Sequence, residues 1–356
     1  MNGKKTQING WKLSFVHQGT QHVIPAAVPG NVEIDLQQAG LLDEPCPPDD
    51  MWAMRSFESV DWVYEASLEA PALQEGEQIC LVFEGIDTIA DVLLNGEKIL
   101  RCENMFIPHT VNVTGKLKAT GNQLQVRIFS PELFARQFTP PALHASREHH
   151  HGEAYLRKAR HMWGWDNAPR LLSAGLWREV YLEVLPAIRF TEVYAYTNQV
   201  SQDSASVGVE WNIVTPDPDL SDYKGKVVCS FEGQVELEQE FDVEFTSGSL
   251  RRALTLKKPH RWWPLGYGQP DLYDLQLLLY KNHHVVAEWK SKFGVREIEL
   301  IRTETTNERG EGEFVFKCNG EKIYIRGTNW KPLDPLPSQA RPKMRQALDL
   351  CLDLHC

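Results

Sequence analysis

The sequence predicts a mainly β protein made of two β-sandwiches followed by the beginning of a (β/α)8 barrel. Short runs of β-branched and aromatic residues, separated by turn residues, recur through most of the 356 residues. Near the carboxyl end the pattern changes to one apolar strand and one amphipathic helix. Two sandwiches and a first βα unit account for both patterns.

The first sandwich, a jelly roll, is predicted from Trp11 to about Leu185. The dipeptide Asn95-Gly96 predicts a tight hairpin turn between two of its strands. Residues 27–33 and 39–45 are interpreted as surface loops on either side of a short helical turn. The expected strands are residues 79–83, 90–94, 111–113, 124–129 and 180–184.

A second all-β region is predicted from Phe190 to about Phe293. About 100 residues with roughly seven short strands are typical of an immunoglobulin-like sandwich. Residues 294–310 are expected to link it to the last region, which opens with a hairpin of residues 314–318 and 322–326 around Asn319-Gly320. The expected strands of the sandwich are residues 207–214, 226–231, 241–245, 250–256 and 272–280.

Residues 322–330 predict a buried strand that runs into a polar loop, and residues 343–355 predict an amphipathic helix. One strand and one helix form a single βα unit, and the sequence ends at Cys356. A parallel sheet needs further units to bury the apolar faces of both elements, so we expect an incomplete barrel. The apolar face of the helix carries Met344, Ala347, Leu348, Cys351 and His355.

Composition excludes several classes of partner. The net charge of -11 comes from dispersed acidic residues, which disfavours nucleic acid and anionic membranes as partners. No apolar segment follows Lys4-Lys5, and no run of about 18 apolar residues occurs elsewhere, so a cytoplasmic protein is expected. The seven cysteines are odd in number and form no CxxC pair, which predicts free thiols.

The densest group of candidate functional residues is the segment 161–170. Aromatic rings stack on the apolar face of a sugar, and a neighbouring carboxylate can bind its hydroxyl groups. Trp165 and Asp166 could therefore line a carbohydrate pocket. The alternative is structural: Trp163 and Trp165 would close the core, and Asp166 would pair with Arg170.

The run His149-His150-His151, together with His144, suggests a metal site upstream of this segment, because imidazole is a common metal ligand. His149, His150 and His151 are adjacent and would point in alternating directions, and no Asp or Cys stands at the spacing of a known site. We therefore expect no metal and no cofactor. Asn307-Glu308 is similar to the acid-bearing pair of many sugar-cleaving barrels, but it precedes the first barrel strand and predicts a solvated turn.

Several motifs, taken in order, resemble those of β-mannosidases in glycoside hydrolase family 2. The first sandwich resembles the amino-terminal sugar-binding-like domain of these enzymes. Residues 262–270 with Leu272-Tyr273 resemble the signature that closes their immunoglobulin-like domain, and residues 326–330 resemble the entry to their catalytic barrel. The motifs in the first sandwich are residues 56–64, 83–96, 104–106 with His109, 163–166 and 175–178.

The resemblance implies a role in substrate binding for three residues. Trp165 and Asp166 match the loop that reaches the terminal sugar in these enzymes, and Trp330 stands at the barrel entry. Two residues depart from the family pattern, because Asn167 and Ala168 replace the usual Trp and Gly. Ala168 adopts a positive φ less readily than Gly, so the loop geometry could differ.

The resemblance implies the hydrolysis of terminal non-reducing β-D-mannose, with a β-mannoside oligosaccharide as partner once a barrel is complete. Retaining glycosidases need two carboxylates about 5 to 5.5 Å apart. The family's two glutamates lie on later barrel strands, so no catalytic residue is expected here and the chain alone should be inactive. The expected domains are 1–187, a jelly roll; 188–298, an immunoglobulin-like sandwich; and 299–356, the incomplete barrel.

Three alternatives to this function stay open. The chain could be a carbohydrate-binding or scaffold protein without catalysis. It could be one chain of a split glycosidase that pairs with a complementing barrel chain. It could also act on glucosamine or galactose, since one architecture hosts several specificities in this family.

Overall fold

The computed structural model describes residues 3–43, 52–139, 151–164, 168–303, 307–309 and 312–356. The chain divides into two units. The first unit contains Gly3–Leu185 and Thr328–Cys356, and the second contains Pro186–Gly327. Strands dominate both units, which confirms the mainly β class predicted from the sequence.

Two antiparallel sheets form the sandwich of the first unit. Its strands are β1 (Lys4–Gln7), β2 (Lys12–His17), β3 (Thr20–Pro25), β4 (Trp62–Leu68), β5 (Gln78–Phe83), β6 (Ala90–Leu94), β7 (Glu97–Cys102), β8 (His109–Asn112), β9 (Asn122–Ile128) and β10 (Val180–Leu185). One sheet has the order β1-β10-β5-β8, and the other has the order β3-β2-β4-β9-β6-β7. All five strands predicted for this region are present.

Alternation of apolar and polar residues fixes which face of each strand is buried. In β4, for example, Trp62, Tyr64 and Ala66 are buried in the core while the residues between them are more exposed. The predicted turn Asn95-Gly96 joins β6 to β7, and both residues have positive φ, 53° and 85°. Asn and Gly are the residues that adopt this backbone most readily, so the hairpin prediction is confirmed.

Three short helices lie between the strands: α1 (Val32–Gln38), α2 (Trp52–Arg55) and α3 (Pro131–Ala135). The Ser130 hydroxyl caps α3 by accepting a hydrogen bond from the Leu133 amide at 3.0 Å. The interpretation of residues 27–33 as a surface loop was correct for 27–29 only, because residues 30–33 are buried and α1 begins at Val32. The short helical turn expected between the two loops is present as α1. Val32 and Leu36 anchor α1 in the core, and this brings Asn31 into a fully buried position.

The second unit contains an immunoglobulin-like sandwich of two further sheets. Its strands are β11 (Arg189–Val200), β12 (Ser204–Val214), β13 (Tyr223–Phe231), β14 (Gln234–Asp242), β15 (Ser247–Lys257), β16 (Tyr273–Lys281) and β17 (His284–Phe293). One sheet has the order β11-β12-β15 and the other β14-β13-β16-β17. The inward side chains of both sheets share one core that includes Val209, Val227 and Leu277.

One predicted strand of this sandwich was misplaced. The prediction was 241–245, whereas β14 ends at Asp242 and begins at Gln234, immediately after a turn at Glu232-Gly233. Most of β14 is exposed and rich in glutamate, which is not a strand former. Hydrogen bonding to β13 therefore defines this strand more strongly than its own composition does.

A small antiparallel sheet follows in the same unit, formed by β18 (Ile298–Arg302), β19 (Phe314–Cys318) and β20 (Glu321–Ile323). The predicted turn at Asn319-Gly320 is confirmed. The strand predicted to open residues 322–330 was too long, because β20 ends at Ile323 and Tyr324 and Ile325 are exposed. Beyond β20 the Tyr324 amide donates to the Tyr267 hydroxyl at 2.7 Å.

The last element is α4 (Pro337–Asp353), which begins six residues before the predicted start at Lys343. Pro337 stands in the first turn, where its missing amide hydrogen is not needed. Leu336, immediately before the helix, is only 3% exposed and packs in the core of the first unit. The helix itself contains no buried residue, and Met344 and Leu348 on its apolar face are exposed.

The exposure of α4 predicts fast hydrogen exchange. Helices depend mainly on tertiary packing for their stability, and beyond Leu336 this helix packs little apolar surface. Amides of residues 344–352 should exchange far faster than those of β4 and β9 when the 356-residue chain is followed by mass spectrometry. Protection of α4 equal to that of β4 in a proven monomer would contradict the expectation.

Candidate functional site

The segment that carries the predicted site residues is anchored on one side by Trp163. A short 3-10 turn, Arg160–Trp163, places this indole in a cluster with Met105, Leu156 and Leu172, where it is almost fully buried. Gly152 lies directly against the ring, since a Cβ there would come within 2.1 Å of it. Trp163 is therefore a core residue, as the structural interpretation of the motif predicted.

Arg170 anchors the other side of the segment. Its Nε and one terminal nitrogen bind both carboxylate oxygens of Glu58, at 2.9 and 2.8 Å. The same terminal nitrogen also contacts Glu132 at 3.0 Å, and the guanidinium lies 5.5 Å from the centre of the Trp163 ring. A bidentate pair fixes both position and orientation, so the backbone at 170 has a defined path.

Trp165, Asp166 and Asn167 lie outside the described residues, so their predicted roles stay predictions. The described chain reaches Gly164, which has a φ of 90°, and resumes at Ala168. Only glycine adopts this conformation without strain. The histidines at 144, 149 and 150, which were considered as metal ligands, also lie outside the described residues.

A buried polar network lies beneath this segment. The Lys158 ammonium binds both oxygens of Asp87, at 2.6 and 2.7 Å, and the carbonyl of Ser173 at 2.5 Å. The Ser173 hydroxyl donates to Glu33 at 2.7 Å and accepts from the Asn31 side-chain amide at 2.8 Å. The network therefore joins three parts of the first unit: α1, the connection between β5 and β6, and the two ends of the segment 158–173.

Burial changes the acidity of the carboxyl groups in and beside this network. Desolvation raises the pKa of Glu33 from 4.5 to about 7, and the hydrogen bond from Ser173 offsets only part of this effect. Desolvation also raises the pKa of Asp35 to about 6, although the Ala27 amide donates to this carboxylate at 2.9 Å. Glu33 thus carries its proton in a large part of the molecules near neutral pH.

The start of the carboxyl-terminal segment is attached to the same region. The Ser338 amide donates to the Asn31 side-chain oxygen at 3.1 Å, and the His161 ring nitrogen Nε2 donates to the Pro335 carbonyl at 3.3 Å. Burial lowers the pKa of His161. The third predicted site residue, Trp330, precedes these contacts and is 50% exposed, so its indole face is accessible.

Sequence reasoning missed the network. Its members are scattered along the chain, and each has a common local interpretation: Glu33 as the polar side of a helix, Lys158 as part of a basic loop. The available signal was the alternation of apolar and acidic residues in 32–36, where both acidic side chains prove to be buried. The network members are Asn31, Glu33, Asp87, Lys158 and Ser173.

Comparison with protein families agrees with this architecture. Residues 11–178 match the family described as "Glycosyl hydrolase 2 galactose-binding domain-like", and residues 191–296 match "Glycosyl hydrolases family 2". The two matches cover the first sandwich and the immunoglobulin-like sandwich in turn. Both sandwiches therefore match domains of glycosyl hydrolase family 2.

Within this family the similarity is to β-mannosidases. The chain is 31% identical over 328 residues to β-mannosidase B of Thermothelomyces thermophilus and 32% identical over 328 residues to that of Aspergillus fumigatus. Each match covers 91% of this chain and 38% of the relative. The chain thus spans about two fifths of the length of these relatives.

Solved structures show the same fold. The β-D-mannosidase from Dictyoglomus thermophilum superimposes with a TM-score of 0.83 and 29% identity, covering 98% of this chain and 43% of that one. The exo-chitosanase from Amycolatopsis orientalis superimposes with a TM-score of 0.66 at 21% identity, covering 99% and 40%. No helix among the described residues is long and apolar enough to span a membrane.

Replacing Lys158 tests whether the buried polar network stabilises the segment 158–173. Lys158→Met leaves the Asp87 carboxylate buried and unpaired, which should lower the free energy of unfolding by about 3 to 5 kcal/mol. Lys158→Met with Asp87→Asn removes both charges and should recover part of the loss. Urea unfolding measures both variants.

Lys116→Met is the matched control, because the Lys116–Glu97 pair, at 2.7 Å, is exposed. This substitution should change the free energy of unfolding by less than about 1 kcal/mol. An equally small effect for Lys158→Met would show that the buried pair does not determine the packing here.

The raised pKa of Glu33 predicts a defined pH dependence. Between pH 4.5 and about 7 the unfolded chain has lost this proton while the folded chain keeps it, so stability falls as the pH rises. Glu33→Gln removes this contribution to the pH dependence of the free energy of unfolding. The contribution is at most about 1.4 kcal/mol per pH unit. The variant should gain stability relative to the parent across this window, measured by urea unfolding at a series of pH values.

The control is Glu69→Gln, at an exposed position of the same unit. It should leave the pH dependence of the parent unchanged. A constant difference in stability between Glu33→Gln and the parent from pH 4.5 to 7 would contradict the assignment to Glu33.

Proposed function

We propose that this chain supplies the amino-terminal domains of a β-mannosidase that hydrolyses terminal non-reducing β-D-mannose. One observation carries the proposal: similarity to β-mannosidases runs through 91% of the chain and includes both sandwiches and the segment that bears the Trp-Asp pair. The relatives extend well beyond the matched region. The activity proposed is therefore that of the complete enzyme.

In this proposal the Trp165 ring stacks on the apolar face of the terminal sugar, and Asp166 accepts hydrogen bonds from its hydroxyl groups. Trp330 adds a second aromatic face at the entry to the barrel. The described contacts of Trp163 and Arg170 support these roles, because they hold both ends of the short segment between them. A binding group is effective only when its backbone is fixed before the sugar arrives.

The catalytic pair is proposed to lie on later barrel strands, outside this chain. The proposed domains are residues 1–187, 188–298 and 299–356, and we infer that the third begins a glycosidase barrel. The proposed location is the cytoplasm. Cys102, Cys229, Cys318, Cys351 and Cys356 are free thiols, which supports a reducing compartment.

Three alternatives share these domains. A non-catalytic sugar-binding protein would need affinity from this chain alone, and a split enzyme would need a separate barrel chain as partner. A change of sugar to glucosamine or galactose is the third alternative. The likeness to an exo-chitosanase supports only the shared fold, since the identity is 21%.

The test is a chimera in which the barrel of the Aspergillus fumigatus relative follows residue 356. Asp166→Ala should lower kcat/KM for an aryl β-mannoside about tenfold or more, because a charge-assisted bond to the sugar is lost. Asp166→Asn should recover part of the activity. The 356-residue chain assayed alone should show no turnover.

Glu69→Ala is the control, since it removes an exposed carboxylate elsewhere in the same unit. Unchanged kinetics for Asp166→Ala would mean that the Trp-Asp pair has a structural role and does not bind the sugar. Faster hydrolysis of a β-glucosaminide than of the β-mannoside by the chimera would replace mannose by glucosamine in the proposal.

A further inference from the structure

The outer face of the sheet β11-β12-β15 in the second unit is chemically unusual. The inward residues of β12 are apolar and buried, whereas its outward residues are small or polar: Ser204, Ser206, Gly208, Glu210 and Asn212. The register aligns these with polar residues on the neighbouring strands. One row is Glu192, Asn212 and Ser247, and the next is Tyr194, Glu210 and Ser249.

An aromatic platform stands in the middle of this face. The Tyr196 ring lies over Gly208, where a Cβ would come within 2.4 Å of it. Tyr194 stacks on Tyr196 with ring centres 5.4 Å apart and an interplanar angle of 24°. Tyr194 is 64% exposed, so a large flat ring is presented to solvent on a rigid strand.

Oriented polar groups surround the platform. The Tyr196 hydroxyl donates to Glu210 at 3.1 Å, and the Asn212 amide donates to Glu192 at 2.9 Å. The Arg251 Nε lies 3.4 Å from Glu210. These contacts use one oxygen or hydrogen of each group and leave other lone pairs and hydrogens for a ligand.

Two open depressions follow this face of the sheet. The first has a volume of about 390 Å3 and contains Tyr194, Glu210, Asn212 and Arg251 in its lining. The second has a volume of about 610 Å3 and is lined by uncharged polar residues that include Asn198, Ser204 and Ser206. The Ser206 hydroxyl oxygen is buried and has no hydrogen-bond partner among the described residues.

The opposite sheet of the same sandwich gives an internal comparison. Its outward side chains form ordinary exposed ion pairs, including Lys224 with Asp242 and Lys292 with Asp274. Such pairs keep a sheet face soluble and leave few groups free to bind a ligand. Paired charges therefore cover one face, while exposed tyrosine, hydroxyl and amide groups cover the other.

We propose that the outer face of β11-β12-β15 binds a neutral oligosaccharide chain, as a second sugar site in the immunoglobulin-like sandwich. A sugar ring stacks on Tyr194, while Glu192, Glu210 and Asn212 bind its hydroxyl groups. Hydroxyl and amide groups of the second depression bind sugars further along the chain. The two carboxylates face only one described guanidinium, Arg251, which disfavours anionic polymers.

A protein partner fits this face less well. Protein interfaces have an apolar core, and neither depression has Leu, Ile, Val, Met or Phe in its described lining. Trp211, in the lining of the first depression, is only 6% exposed and packs in the core of the sandwich. The inference concerns the second unit alone and stands whether or not the proposed hydrolysis is correct. Only the choice of a β-mannan oligosaccharide as the first probe rests on the proposed function.

The experiment measures binding of mannohexaose and cellohexaose to the 356-residue chain by calorimetry. At least one neutral hexaose should bind with a millimolar or tighter dissociation constant. Tyr194→Ala should weaken that affinity about fivefold or more, whereas Tyr194→Phe keeps the ring and should stay within about twofold of the parent. Tyr194 is exposed, so the melting temperature should not change in either variant.

Tyr324→Ala is the matched control, because Tyr324 is an exposed tyrosine of the same unit outside this face. It should leave the affinity unchanged. Absence of binding to both hexaoses would overturn the proposal. Binding lost in Asp166→Ala and retained in Tyr194→Ala would also overturn it, and would assign the sugar to the first unit.

Discussion

The buried contact between Lys158 and Asp87 is the constraint on which the candidate site depends. An ammonium and a carboxylate removed from water are tolerated only when each finds full compensation, so their geometry permits little variation. Here the lysine also binds the Ser173 carbonyl, which ties residue 158 to the chain that returns after the Trp-Asp segment. The ammonium group of this ion pair thereby links residue 158 to residue 173, on the two sides of the Trp-Asp segment.

The rest of the network extends this constraint to distant parts of the first unit. Ser173 forms hydrogen bonds with Glu33 and Asn31, and Asn31 in turn accepts a hydrogen bond from the backbone amide of Ser338. The beginning of α4 is thus positioned by the same polar groups that hold the loop. Such an arrangement suits a site assembled from separate segments, where the relative placement of side chains matters more than the stability of any one of them.

Much of the fold could be predicted because its determinants are local. Alternating burial and the turns Asn95-Gly96 and Asn319-Gly320 can be recognised from a few consecutive residues, and the structure confirms them. The errors arose where contacts with residues distant in the sequence determine the limits of a strand. Strand β14 takes its limits from β13, and after Ile323 the chain leaves β19, with the Tyr324 amide bound to a hydroxyl 57 residues away.

The candidate site was predictable to a smaller extent, for the same reason. Aromatic residues next to a carboxylate suggest sugar chemistry from the sequence alone, and Trp165 and Asp166 keep that predicted role. Nothing in the local sequence shows that Glu33 meets Ser173, 140 residues away. Buried polar partners are chosen by the tertiary fold, and a single sequence does not contain their pairing.

The separate anchoring of Trp163 and Arg170 has a consequence for how this protein can change over time. The described contacts of both residues are made with α3, with Glu58 and with the core. Under the proposed role of the Trp-Asp pair, substitutions between these two anchors would act on sugar contacts while the described anchors keep their partners. Ligand preference in such an enzyme would then diverge by single mutations on a retained scaffold.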